Sequence, residues 1–183
     1  YTYYETVLAH EFQHMIHWNT DRNETSWINE GLSELATLLN DYFHSGFIGL
    51  YLDDPDRQLN DWPEDYTEPH YGAGFLFVTY FLERFGEEAT KALVADPANG
   101  LESIDNVLAQ LDITDDNGVL LTADDVVLDW VLANYLADEG VGDGRYAYPT
   151  YPQMLPSTAS TTETVDDCEE TYRNRQVHQF GVD

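Results

Sequence analysis

The stretch His10-Glu11-Phe12-Gln13-His14 decides how this chain is read. On a helix of about 3.6 residues per turn, two histidines four apart lie one turn apart on the same face. Both imidazoles then reach a single cation at the roughly 2.0–2.1 Å that Zn–N bonds need. Glu11 falls about 100° further round the helix. It flanks the ion instead of ligating it, placed to take a proton from a water beside the metal. Val7, Leu8, Phe12, Met15 and Ile16 recur around the pair at helical spacing. They predict a helix that starts near Thr2, three residues before Glu5 as in a capping box, and fades at Asn19, with these apolar residues as its buried side. Histidines and a glutamate buried on such a helix cost several kcal/mol unless they have a partner, and a metal removes that cost.

A catalytic tetrahedral zinc takes three protein ligands and leaves one place open. His17, Glu30 and Glu34 are the candidates for the third. His17 is on the same rigid helix as His10, about 10.5 Å further along its axis. Three side chains spread over two turns do not converge, and no glycine breaks the helix as the metzincin pattern requires. His17 is therefore expected to cap or pack near the helix end. Glu30 stands in Trp27-Ile28-Asn29-Glu30-Gly31-Leu32-Ser33-Glu34, after the polar loop 19–26. This is the start of a second helix, with Ser26 as N-cap and Ile28, Leu32, Leu35, Leu38 and Leu39 as its apolar side. An antiparallel return brings that first turn beside His10 and His14. The economical reading has Glu30 ligating zinc and Glu34, one turn deeper, accepting an N–H from a ligand histidine, which fixes the ring's tautomer and orientation. Both carboxylates share one helix face, so sequence alone leaves the two roles interchangeable.

Beyond these helices, residues 45–69 hold glycine, three prolines and the acidic group Asp53, Asp54 and Asp56, and read as mostly loop. Tyr71 to Phe85 is apolar almost all round, which predicts a buried helix stopped by Gly86. Further helices are expected over 87–95, 101–111 and 123–137, the last capped by Thr122 and carrying Trp130, Tyr135 and Leu136 as core residues. Asp112 to Gly118 resembles a calcium loop, but its glycine falls one position late and no glutamate closes it, so an acidic turn is expected. The chain divides into a helical domain over 1–142 and an extended segment over 143–183 leading out of it, with a weakly alternating stretch at 176–182.

The 183 residues suffice for one hydrophobic core. Thirty-five Asp and Glu against seven Lys and Arg give a formal net charge of −28. A surface this acidic repels phosphate backbones and anionic lipids, which excludes nucleic-acid binding as a function class. No apolar run is long enough to span a membrane. The single cysteine, Cys168, supplies no internal disulfide. Residue 1 is tyrosine, and the chain enters its motif helix almost at once, so it reads as a piece of a longer polypeptide with upstream and downstream segments.

Taken together, His10-Glu11-Phe12-Gln13-His14 and Asn29-Glu30-Gly31-Leu32-Ser33-Glu34 resemble the gluzincin branch of metallopeptidases. The words around them, residues 8–17 and 27–36, are more particularly similar to the hyicolysin family of secreted bacterial zinc peptidases. The close part of the resemblance covers residues 7 to about 40, with weaker similarity through Gly86 and around Trp130 to Tyr148. It implies a mainly α fold, the helical half of a zincin catalytic domain with little β structure, whose upstream sheet is missing from this chain. It also implies a secreted endopeptidase acting on protein or peptide substrates, with zinc as cofactor. An aminopeptidase and a non-catalytic zinc-stabilised binding module are the alternatives. The fifteen residues between His14 and Glu30 are fewer than in aminopeptidase N relatives, so the substrate-end recognition of those enzymes is not carried over. Finally, the resemblance implies a Tyr or His that stabilises the oxyanion. Tyr71, followed by Gly72, Ala73 and Gly74, fits that place, with His70 beside it as the alternative.

Overall fold

No face of the run from Tyr71 to Phe85 can be given to water without loss, because apolar residues occupy all sides of it. The computed structural model describes residues 2–44 and 46–160, and in it this run lies in the central helix. Phe75, Leu76, Phe77, Val78, Tyr80 and Phe81 are all essentially inaccessible to water, and burial of each large side chain contributes roughly 1.5–3 kcal/mol. The described residues form α1 (Thr2–Thr20), α2 (Ser26–Leu39), α3 (Gly46–Asp53), α4 (Glu68–Ala95), α5 (Leu101–Gln110) and α6 (Ala123–Leu136), with a short 3-10 turn at Pro152–Met154. Among them there is no strand, only an isolated antiparallel bridge between Thr114 and Leu120. The fold is mainly α, as expected. No helix among the described residues is long and apolar enough to cross a membrane. Cys168 and the stretch 176–182 lie outside the described residues.

The helices α2 and α3 pack on α4, and α1 packs on α2. Glycine makes the α2–α4 crossing close. A Cβ on Gly31 would stand 2.6 Å from the carbonyl oxygen of Gly74, and one on Gly74 would stand 2.6 Å from that of Trp27. A Cβ on Gly72 would overlap the carbonyl oxygen of Phe47, so α3 is held equally near. This backbone contact sets Glu30, the neighbour of Gly31, beside Tyr71, the neighbour of Gly72.

Several boundaries differ from expectation. The central helix begins at Glu68, with Pro69 in its first turn where a missing N–H costs nothing, so Tyr71 is already inside it. Gly86, at φ 80° and ψ 179°, stops the buried run as expected, and the second helical stretch that follows to Ala95 is joined to it across this kink within α4. Residues 46–53, expected as loop, form α3. Its two glycines mask the helical spacing of Ile48, Tyr51 and Leu52, all buried. The cap of α6 is as expected: Thr122 and Asp125 form a reciprocal capping box. Trp130 is core, but Tyr135 and Leu136 are 52% and 38% exposed, because the last turn of α6 passes the edge of the core. The acidic stretch 112–118 is a turn in which Asp115 accepts from the N–H groups of Asn117 and Val119.

The segment from residue 143 does not lead away, at least as far as residue 160. Ala147, Tyr148, Met154 and Ala159 are buried, and the Tyr148 hydroxyl donates to Asn134 Oδ1 at 2.8 Å. Glu83 accepts from the N–H groups of Thr150 and Tyr151, and Ser160 N–H donates to the Leu52 carbonyl. The segment lacks regular structure, as its Pro and Gly content predicts, but isolated apolar residues anchor it to α4 and α6.

Candidate metal centre

The side of α1 that meets α2 is its polar one. His10, Gln13, His14 and His17, at i, i+3, i+4 and i+7, form one stripe facing the second helix. Leu8, Phe12, Met15 and Ile16, expected as the buried side, are instead 48–66% exposed. The stripe turns inward because α2 offers it partners. Ser33 Oγ lies 2.6 Å from Gln13 Oε1 and 3.0 Å from His14 Nδ1, and Asn29 Oδ1 lies 2.9 Å from the same His14 nitrogen.

Three ligand atoms converge where the two helices meet. His10 Nε2 is 3.1 Å from His14 Nε2 and 3.2 Å from Glu30 Oε2, and His14 Nε2 is 3.4 Å from Glu30 Oε2. Bonds of about 2.0–2.1 Å at tetrahedral angles hold neighbouring ligand atoms about 3.3–3.4 Å apart, so the triangle has the size that a zinc ion requires. Glu30 Oε2 is buried and receives no well-aligned hydrogen bond although both imidazoles stand beside it. The residues present fit a divalent cation.

The far nitrogen of each imidazole is also held. His10 Nδ1 lies 3.1 Å from Glu34 Oε1, the arrangement expected for Glu34, and His14 Nδ1 meets Asn29. Glu30 and Glu34 are thus not interchangeable in this geometry, since Glu30 closes the triangle with the two Nε2 atoms and Glu34 stands behind His10. Burial works against charge on His10, but Glu30 and Glu34 outweigh it and raise its pKa to about 9. Glu30 in turn raises that of His14, against burial. Burial would push the Glu30 carboxyl up, but His10 and His14 outweigh it and hold it down at about 2. Without a metal, protons on the imidazoles balance the carboxylates; a cation would take their place.

Glu11 is exposed and lines a cleft of about 340 Å³ together with His10, Glu34, His44, Phe47 and Tyr71. Burial, helped by the charges of Glu30, Glu34 and Glu11, pushes the Tyr71 phenol up to about 12, so it keeps its proton and can donate it. Its ring is fixed by Phe47 and Trp62, with centroids 5.2 and 5.0 Å away. His70 faces elsewhere, into a hollow lined by Asp56, Arg57 and Asp61. The structure therefore brings together His10, Glu11, His14, Glu30, Glu34 and Tyr71, and leaves out His70 and His17. The sequence reading missed Asn29. Its signal was available: the second nitrogen of His14 needed a partner, and Asn29 stands next to Glu30.

No protein-family model matches the chain, and no curated protein matches it in sequence.

Proposed function

We propose that this chain is the catalytic core of a zinc-dependent peptidase that hydrolyses peptide bonds in protein or peptide substrates. The observation that carries the reading is the triangle of His10 Nε2, His14 Nε2 and Glu30 Oε2, with edges of 3.1–3.4 Å, opening on a cleft that Glu11 lines. Bound there, zinc supplies Lewis acidity, which polarises a carbonyl and makes water a nucleophile near neutral pH. Glu11 takes the proton that the attacking water gives up and later delivers it to the leaving amine. Tyr71 donates a hydrogen bond to the oxygen that becomes negative as the carbonyl is attacked, in a cleft partly shielded from water where one such donor contributes about 3–4 kcal/mol. Glu34 and Asn29 hold the two imidazoles so that their Nε2 lone pairs point at one place.

A binding module stabilised by zinc needs a closed shell of four ligands and has no use for a carboxylate on the open side. The position of Glu11 favours the enzyme. Its action is outside the cell, a reading supported by the resemblance of residues 7–40 to secreted peptidases. The test is casein hydrolysis by the zinc-loaded protein before and after chelation. Activity lost on chelation and restored by zinc is expected, and hydrolysis that survives chelation would contradict the reading. An N-terminally blocked peptide separates the endopeptidase, which cleaves it, from an aminopeptidase, which does not.

A further inference from the structure

The inward stripe of α1 has one member that the peptidase reading does not use. His17 is 1% exposed, seven residues on from His10, and neither of its ring nitrogens makes a well-aligned hydrogen bond, although Asn29 of α2 stands near enough to interact with it. Asp21, 7% exposed, has a second buried atom in the same state, Oδ2. With Glu24, these residues offer one nitrogen and two carboxylate oxygens, all within 4.8 Å of one another. Buried polar atoms are almost always paired, so bare nitrogens and a bare carboxylate oxygen in one place need a common explanation.

We propose that His17, Asp21 and Glu24 hold a second divalent transition-metal ion, zinc being the natural probe, which ties the end of α1 to the loop that follows it and to the turn before α5. This site is independent of the peptidase reading. One cation answers a His17 nitrogen and Asp21 Oδ2 together, two bare atoms of opposite chemistry that no single hydrogen-bond donor or acceptor could satisfy. The carboxylate of Glu24 is already fixed. Its Oε1 accepts from the N–H of Gly100 at 2.8 Å and from the Thr25 hydroxyl at 2.8 Å, and Ser103 reaches its Oε2. Asp21 is held by its own N–H donating to the His17 carbonyl and by Asn23 N–H donating to Asp21 Oδ1. That leaves Oδ2 aimed inward. The cluster also sits at the C-terminal end of α1, where the helix carbonyls favour positive charge.

Burial lowers the pKa of His17 in spite of Glu24 and Asp21, so its ring is neutral and has a lone pair to give. A mixed set of one imidazole and two carboxylates suits zinc, manganese or iron. Calcium and magnesium prefer shells made wholly of oxygen. With His17 and Asp21 buried, no substrate-sized group reaches the ion. Its role is to hold the end of α1 in place.

The experiment is zinc titration of the metal-stripped full chain by calorimetry, with metal analysis of the product, in three forms. The H10A/H14A variant leaves this cluster untouched and should bind one zinc per chain, with a rise in Tm on loading that calcium does not reproduce. D21N and H17Q should each bind one zinc fewer than the parent. If the chain is not a zinc peptidase but this site is real, the parent binds a single zinc that H10A/H14A keeps and D21N loses, so the two readings fail separately. No zinc in H10A/H14A, or undiminished zinc in D21N and H17Q, overturns the proposal. Should D21N and H17Q not fold, H10A/H14A decides alone: one zinc sustains the site and none removes it.

Discussion

Two clusters of histidine and carboxylate lie on the same face of α1, one turn and a half apart, and they differ in almost every physical respect. Around His10 and His14 each far imidazole nitrogen is paired, the near nitrogens and Glu30 close to 3.1–3.4 Å, and a cleft opens on the free side. Around His17 neither nitrogen makes a well-aligned hydrogen bond, and both His17 and Asp21 are buried with no cleft opening on them. The first arrangement suits the proposed chemistry, because the cleft gives a reacting group access and the Glu11 carboxylate lines it. The second fits only structure. Residue type alone does not separate a catalytic centre from an anchoring one; access and the pairing of the far nitrogens do.

The sharpest way to break that contrast is E11Q. It removes the proposed proton carrier and should lower hydrolysis by about 10²–10⁴-fold while zinc content stays that of the parent; equal loss of zinc would show that Glu11 is a ligand. Next, Y71F should lower kcat by about 10²–10³-fold with KM little changed, measured with a chromogenic peptide. A change confined to KM would make Tyr71 a binding residue. Third, E34Q should weaken zinc binding at the first cluster by about 10–100-fold, read by competition with a chelating dye, and leave the second cluster's zinc unaffected. The fourth concerns the frame. G31A forces α2 and α4 apart at Gly74 and should lower stability by about 1–3 kcal/mol in urea unfolding, whereas G49A, where a Cβ meets nothing within 4 Å, should not.

The smallest effect is in protons. His10, with its pKa raised to about 9, is protonated at pH 7 in the metal-free protein and must lose that proton to bind zinc. Zinc entering the first cluster at pH 7 should therefore release about one proton from His10, seen as a dependence of the calorimetric heat on buffer ionisation enthalpy. The release should fade as pH rises through 9. His17, its pKa lowered by burial, should release none.

What could be read in advance followed from short-range periodicity. The i, i+4 histidines, the return of Glu30 on the next helix and the apolar run of α4 need only local geometry, and each is found where that geometry puts it. The side of α1 that faces inward was read the wrong way round. Helical spacing of apolar residues points them to the core, but Leu8, Phe12, Met15 and Ile16 are exposed and the histidines are not, because α2 supplies polar partners that a hydropathy pattern does not register. Tyr148 and Met154 were missed for another reason: they anchor a segment with no period at all. Asn29 depends on how α1 packs against α2, and the His17 cluster on how the end of α1 and its loop meet the turn before α5, where Glu24 and Gly100 touch across 76 positions.

The most direct measurement is anomalous diffraction at the zinc edge from crystals of the zinc-loaded protein. The account predicts a peak about 2.0–2.1 Å from His10 Nε2, His14 Nε2 and the Glu30 carboxylate, with its fourth side turned toward Glu11 and Tyr71. A zinc ion bound elsewhere, or one at the histidines with Glu30 turned away and no other carboxylate in its place, would contradict it.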